Sequence, residues 1–177
     1  LNSLGCLEAA RENHAAAAGY FQRCSRLFAQ LEDVLNHAIA LNNLGYLEDV
    51  QGNTDAAAAL YEDCLEAFTR VGFTRGAAAV HNNLVVLYGT LGRVDEAEQA
   101  GLASLALKQE MGDDQGRIIT LKNLADLTLK RGRLEQARMR YLEALRLASS
   151  LGALPGLLKV LPGFCRTLRG TGEAERA

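Results

Sequence analysis

The sequence predicts an all-α fold, a right-handed solenoid of antiparallel helix pairs. Three observations support this prediction. The same pattern of apolar and small residues returns every 40 residues without insertion or deletion. The hydrophobic residues are mostly Leu and Ala, with no Trp and only two Pro, which is typical of a helical chain. Glycines stand at fixed places between the apolar segments, where helices are expected to end.

The repeat appears when the chain is written in blocks of 40 residues. Segments 1–5, 41–45, 81–85, 121–125 and a degenerate 161–165 then align as LNSLG, LNNLG, HNNLV, LKNLA and LPGFC. We expect one domain over residues 1–177, made of repeats 1–40, 41–80, 81–120, 121–160 and a partial repeat 161–177. The chain begins without Met and stops where a second helix should run, so we expect it to be part of a longer protein.

Each repeat contains two helical patterns. The same columns recur at i, i+3, i+4 and i+7, mostly with apolar or small residues, which places them on one face of a helix. In the second repeat these predicted core columns are Leu41, Leu44, Gly45 and Glu48 on the first helix and Ala57, Tyr61, Cys64 and Phe68 on the second. First helices are predicted at 34–51, 74–91, 114–131 and 155–169, and second helices at 14–31, 55–71, 95–111 and 135–151.

Turn residues separate these helices. The glycines that follow them are Gly52, Gly72, Gly92, Gly112, Gly132 and Gly152. Such a residue ends a helix in a left-handed conformation that other residues adopt at a cost. We expect Thr74, Asp113 and Asp114 to offer N-caps, and Pro162 to kink or delay the last helix.

Composition and charge exclude several classes of protein. No stretch approaches the roughly 20 apolar residues that cross a bilayer, and the N-terminus lacks a signal peptide, so we expect a cytoplasmic protein. The net charge of −2 gives nucleic acid no overall electrostatic reason to bind. The charge is unevenly spread, because residues 41–120 hold twelve acidic and five basic residues whereas residues 121–160 hold three acidic and eight basic.

No motif favours catalysis, and we expect neither an enzyme nor a bound metal or cofactor. His14, His37 and His81 fall in different columns, without an acid or a cysteine at metal-ligand spacing. The four cysteines lack the spacing of a zinc site, and Cys24 and Cys64 share a column with small residues, which favours packing in a reducing compartment. The sequence contains no phosphate loop, dinucleotide fingerprint or nucleophile elbow.

The repeat resembles the tetratricopeptide repeat, whose pattern is W-x-x-L-G-x-x-Y followed by G and A-x-x-x-F. The residues that match it are Leu41, Leu44, Gly45, Gly52, Ala57 and Tyr61. The 40-residue spacing is similar to that of the long-repeat type in kinesin light chains, Leu-Gly-Asn-rich Pins proteins and sensor regions of bacterial regulators. The third repeat departs from the pattern at His81, Val85 and Gly101, so we expect it to pack less tightly.

The resemblance implies a non-catalytic scaffold that holds a protein or an extended peptide on a concave groove lined by the first helices. Asn43, Asn83 and Asn123 fall in one column there, with Ser3 at its start. A row of amides offers donors and acceptors to a peptide backbone. The predicted groove residues are Ser3, Asn42, Asn43, Tyr46, Asp49, Asn82, Asn83, Lys122, Asn123, Asp126, Lys130 and Arg166. The asparagines could instead be solvated or bridge adjacent helices, and the aromatic Tyr46, a typical hot-spot residue, could pack against its neighbour.

Two other functions remain open at this level. The chain could be the sensory region of a larger bacterial signalling or transcription regulator that binds a small molecule or a signalling peptide. It could also self-associate, acidic end to basic end, into a homo-oligomer that salt dissolves. Neither nucleic acid nor a membrane is an expected partner of this segment.

Overall fold

The structure is a computed structural model that describes the backbone of residues 1–171 and the side chains of residues 1–169. The described residues form helices joined by short turns, with no strand among them, so the all-α prediction is confirmed. The helices are α1 (Asn2–Ala10), α2 (His14–Gln30), α3 (Val34–Val50), α4 (Thr54–Arg70), α5 (Thr74–Thr90), α6 (Val94–Glu110), α7 (Asp114–Lys130), α8 (Leu134–Ser150) and α9 (Leu154–Thr171). The predicted fifth repeat beyond residue 171 lies outside the described residues.

The eight predicted helices match α2 to α9, with ends that differ by one or two residues at most. The predicted delay at Pro162 is wrong, because α9 begins at Leu154 and continues past the proline. Pro162 and Leu158 are both exposed. The helix therefore loses one backbone hydrogen bond on a face that water reaches, which weakens it without interrupting it.

The turns follow the predicted chemistry with two exceptions. The six turn glycines all have positive φ, from 61° to 84°. Asp113 caps α7 as predicted, since its carboxylate accepts a hydrogen bond of 2.9 Å from the Gly116 N–H. Thr74 and Asp114 are instead the first residues of α5 and α7, one position after the cap, so the prediction was wrong for these two. Both helices therefore begin one residue earlier than a cap at that position would allow.

The chain divides into two compact units, Leu1–Leu87 and Tyr88–Ala177. In the first unit α1 packs against α2, α2 against α3 and α3 against α4. In the second unit α6 packs against α7, α7 against α8 and α8 against α9, and α7 also touches α9. In each of these contacts between consecutive helices, a helix packs against its neighbour in sequence within its own unit, as expected for stacked helix pairs.

The core of the first unit contains most of the predicted columns, but Leu41 and Glu48 are only half-buried, so the prediction was wrong for these two. Ala57, Tyr61 and Cys64 are fully buried on α4, and the Cys64 thiol donates to the Ala38 carbonyl oxygen at 3.2 Å. The Tyr61 ring lies directly over Gly45, where a Cβ would come within 2.9 Å of ring atom Cε1. Only a residue without a side chain fits there.

The core of the second unit repeats this arrangement around Tyr141, which is fully buried with Leu121, Ala125 and Ala137. Gly101, which takes the place of an aromatic in the third repeat, is also buried. Leu124 of α7 occupies the space beside it, since any Cβ at Gly101 would overlap the leucine side chain. A neighbouring helix therefore replaces the missing ring.

The unusual His81 of α5 is half-buried in the first unit. Burial lowers the pKa of its imidazole, because charging the ring would cost solvation energy. Its buried Nδ1 atom has no hydrogen-bond partner among the described residues. We therefore assign His81 a packing role in its neutral form.

Candidate functional site

The predicted groove residues all lie on the first helices of the pairs, α1, α3, α5, α7 and α9. Ser3, Tyr46, Lys130 and Arg166 are exposed, and the other eight are half-buried. The same face also exposes apolar side chains, among them Val50 and Val86 in the first unit and Ile119 in the second. Each unit therefore presents a half-polar, half-apolar surface along its first helices.

The asparagines bridge adjacent first helices within the first unit. Asn43 Nδ2 of α3 donates to Asn2 Oδ1 of α1 at 3.0 Å, and Asn83 Nδ2 of α5 donates to Asn42 Oδ1 of α3 at 3.2 Å. These bonds confirm the bridging alternative for Asn43 and Asn83. They use one of the two amide N–H groups and leave the amide oxygen of each of these two residues available.

In the second unit, α7 and α8 form a closed charged network. Lys122 Nζ lies 2.6 Å from Asp126 Oδ2, and the Tyr141 hydroxyl donates to Asp126 Oδ1. Burial is the main reason that the pKa of Tyr141 is raised, and the adjacent carboxylate raises it further. Both oxygens of Asp126 therefore have a partner within the protein.

Two clefts flank this network between α7 and α9. One of about 440 Å³ is lined by the apolar Ile118, Ile119 and Val160 and by the polar Lys122 and Lys159. The other, of about 360 Å³, combines the predicted residues Asp126, Lys130 and Arg166 with Leu129. The structure thus brings three of the predicted residues together in one cleft.

In the first unit, the corresponding region between α3 and α4 lacks such a network. The Tyr61 hydroxyl is buried and has no hydrogen-bond partner within the described chain. Burial raises the pKa of Tyr61, and the nearby Asp49 and Tyr46 raise it further. Asp49 is half-buried and burial raises its pKa. Its carboxylate makes neither a hydrogen bond nor an ion pair with any described residue.

Sequence reasoning missed a buried lysine in the second unit. Lys108 of α6 is 6% exposed, and its ammonium donates to Thr120 Oγ1 at 2.7 Å and to the Gly116 carbonyl oxygen at 3.3 Å. The Ser104 and Thr120 hydroxyls are 3.2 Å apart. Desolvation lowers the pKa of Lys108, and the charge of Asp113 offsets part of this effect.

A signal for this cluster exists in the repeat alignment. Lys108 stands in the column of Phe28, Phe68 and Ala148, so one apolar core column becomes charged in the third repeat only. Two more columns become polar in the same repeat. The column of Ser104 otherwise holds Cys24, Cys64 and Ala144. The column of Thr120 otherwise holds Ala40, Val80 and Val160. Three simultaneous changes from apolar to polar predict a shared buried polar site.

Among residues 1–169, no three His, Cys, Asp or Glu side chains are grouped so that they would hold a metal ion. None of the described helices is both long enough and apolar enough to cross a membrane.

Known protein families and solved structures contain the same type of helical repeat as this chain. Models of the tetratricopeptide repeat match residues 37–71 and 76–150. No curated protein matches the sequence. The crystal structure of BtubC (BKLC) from P. vanneervenii superposes with a TM-score of 0.85 at 20% identity, covering 98% of this chain and 72% of that one.

A putative kinesin light chain of Podosopora anserina with nearly identical TPR-like repeats is also similar. It has a TM-score of 0.78 at 14% identity, with 99% of this chain and 87% of that chain covered. Identities this low show the shared fold, an α-helical solenoid. Repeats of this kind generally serve as protein-interaction scaffolds. The matches to the repeat models and the shared fold together establish that the chain belongs to the tetratricopeptide repeat family.

Proposed function

We propose that the chain is a non-catalytic scaffold that binds an extended segment of another protein along its first helices. The observation that carries the proposal is the surface of the first unit. It combines exposed apolar side chains at Tyr46, Val50 and Val86 with amides of Asn43 and Asn83 that retain free acceptor oxygens. Such a surface suits a peptide backbone flanked by apolar side chains.

The bridges between the asparagines support this assignment in a second way. Each bridge fixes the side chain of Asn43 or Asn83 against the preceding first helix. A fixed amide loses less conformational entropy when it binds a ligand than a freely rotating one does. The bridges therefore preorganise the remaining donors and acceptors.

The test is the double substitution Asn43→Ala with Asn83→Ala, measured on peptides selected from a random 12-residue library by the wild-type protein. We expect the dissociation constants of most selected peptides to rise at least tenfold. Loss of the two bridges should also cost about 1 kcal/mol of stability each, so binding is measured well below the melting temperature.

The matched control is Gln22→Ala with Gln30→Ala, which removes two exposed amides from the second helix α2. This control should bind the peptides as tightly as the wild type does. Equal binding by the asparagine variant and the control would overturn the proposal. The sensory and self-association alternatives remain predictions that this experiment does not address.

A further inference from the structure

The second unit contains a complete version of a site that is incomplete in the first unit. There the Asp126 carboxylate has two partners: the buried phenol of Tyr141 and the ammonium of Lys122. The ammonium neutralises the carboxylate, and the phenol donates to its other oxygen. Every polar group in this set is satisfied within the protein.

The first unit has the phenol and the carboxylate, but no described lysine or arginine pairs with that carboxylate. Tyr61 occupies the same repeat column as Tyr141 and is also fully buried. The column of Lys122 holds Asn42, whose amide oxygen accepts from Asn83. The column of Asp126 holds Tyr46, and the acid stands three residues later, at Asp49 on the same helix face.

A buried hydroxyl such as that of Tyr61 is expected to be satisfied in a functional state. A positively charged partner would also stabilise the Asp49 carboxylate, which burial disfavours. An unpaired polar group of this kind normally destabilises a protein, so its presence calls for an explanation. The missing element is a hydrogen-bond donor with positive charge, since such a group would donate to the Asp49 carboxylate and to the Tyr61 phenol oxygen.

The surroundings favour a cation that arrives from outside. The exposed ring of Tyr46 lies three residues from Asp49, and the face of a tyrosine ring attracts an ammonium group. Residues 1–87 contain ten acidic and five basic residues, a net charge of −5, which favours the approach of a basic segment.

We propose that the first unit binds the ammonium group of a lysine side chain on its partner, with Asp49 as counter-ion, the Tyr46 ring beside it and the Tyr61 hydroxyl as a further hydrogen-bond acceptor. This inference rests on the proposed binding function and names the chemistry of the segment bound there, a basic one. The lysine supplies to the first unit what Lys122 supplies to the second.

The probe for this site is n-butylammonium chloride, which carries the lysine head group and is too small to need the asparagines. Protein labelled at its tyrosine rings is titrated by NMR, with n-butanol at matched ionic strength as the uncharged comparison. We expect saturable shifts of the Tyr46 and Tyr61 signals with butylammonium alone, at a dissociation constant on the order of 10 mM for so small a ligand.

Asp49→Asn is nearly isosteric and should weaken butylammonium binding at least tenfold. The matched control, Asp55→Asn, changes the net charge equally at an exposed position on α4 and should leave binding within twofold of the wild type. Should Asp49→Asn unfold, Tyr61→Phe provides a second variant, with an expected weakening of about threefold.

The proposal is overturned by any of three results: no saturation at Tyr46 and Tyr61, an equal response to butanol, or unchanged binding in Asp49→Asn. Because butylammonium does not test the asparagines, these results leave the peptide experiment unaffected. Conversely, a positive titration combined with unchanged peptide binding in the asparagine variant would overturn the groove and retain the cation site.

Discussion

Tyr61 in the first unit and Tyr141 in the second occupy the same repeat column, and both are fully buried. Their hydroxyls nevertheless differ, since that of Tyr141 donates to Asp126 and that of Tyr61 has no partner among the described residues. The two units share their architecture because the core columns are nearly the same. Their polar groups differ because a few positions next to those columns differ. These positions determine which unit keeps hydrogen-bonding groups without a partner in the protein.

A second pair of positions shows the same contrast with the polarity reversed. Phe68 of the first unit packs edge-on against Phe73, with ring centroids 5.3 Å apart. Its counterpart in α6 of the second unit is the buried Lys108, bonded to Thr120. Here the second unit carries the unusual polar group, and it satisfies that group internally.

The largest expected effect comes from moving this lysine into the first unit. In Phe68→Lys the ammonium would face Cys64 and Val80, the counterparts of Ser104 and Thr120, so no hydroxyl would receive it. We expect a loss of about 3–5 kcal/mol, as for a buried charge without a partner. Urea denaturation measures it, and a loss below about 1 kcal/mol would show that the first unit tolerates the charge.

Removing the buried lysine from the second unit should stabilise that unit. Lys108→Met removes a buried cation, fills similar space and leaves the Ser104 and Thr120 hydroxyls in contact with each other. We expect a gain of about 1–3 kcal/mol at pH 7, since replacing a buried charge by an apolar group is often favourable. A loss of stability would show that the ammonium contributes more through its hydrogen bonds than its desolvation costs.

The advantage of Lys108→Met should shrink as the pH rises. Because the pKa of Lys108 is lowered in the folded state, the unfolded chain binds more protons in the window below 10.5, and wild-type stability rises with pH there. The difference between the two proteins is therefore compared by urea denaturation at pH 7 and pH 9.5. A difference that stays constant would contradict the lowered pKa.

Much of the fold could be predicted from the sequence because the 40-residue register repeats core columns such as Ala57 and Tyr61 in several copies. The register also placed the predicted groove residues on the first helix of each pair. It left bridging open as one alternative for Asn43 and Asn83 but did not identify their asparagine partners. It did not predict that Asp126 pairs with both Lys122 and Tyr141. Such pairing depends on side-chain reach and rotamer between helices, which column identity alone does not specify.

The expectations for the third repeat illustrate the same limit. Gly101 suggested a gap in its column, yet Leu124 from the next helix occupies the space. Lys108 would have been found by reading the columns of Ser104, Lys108 and Thr120 together, because all three become polar in one repeat. Substitutions considered one column at a time hide compensation between helices.

The Tyr61 hydroxyl has no hydrogen-bond partner among the described residues, whereas the Tyr141 hydroxyl donates to Asp126. The most direct measurement compares the unfolding free energies of Tyr61→Phe and Tyr141→Phe, each of which removes only an oxygen. We predict that Tyr141→Phe loses about 1–2 kcal/mol, the value of a hydrogen bond to a charged group, and that Tyr61→Phe loses nothing or gains up to about 1 kcal/mol. Equal losses in the two variants would mean that both hydroxyls are bonded alike, and the contrast between the two units would then be wrong.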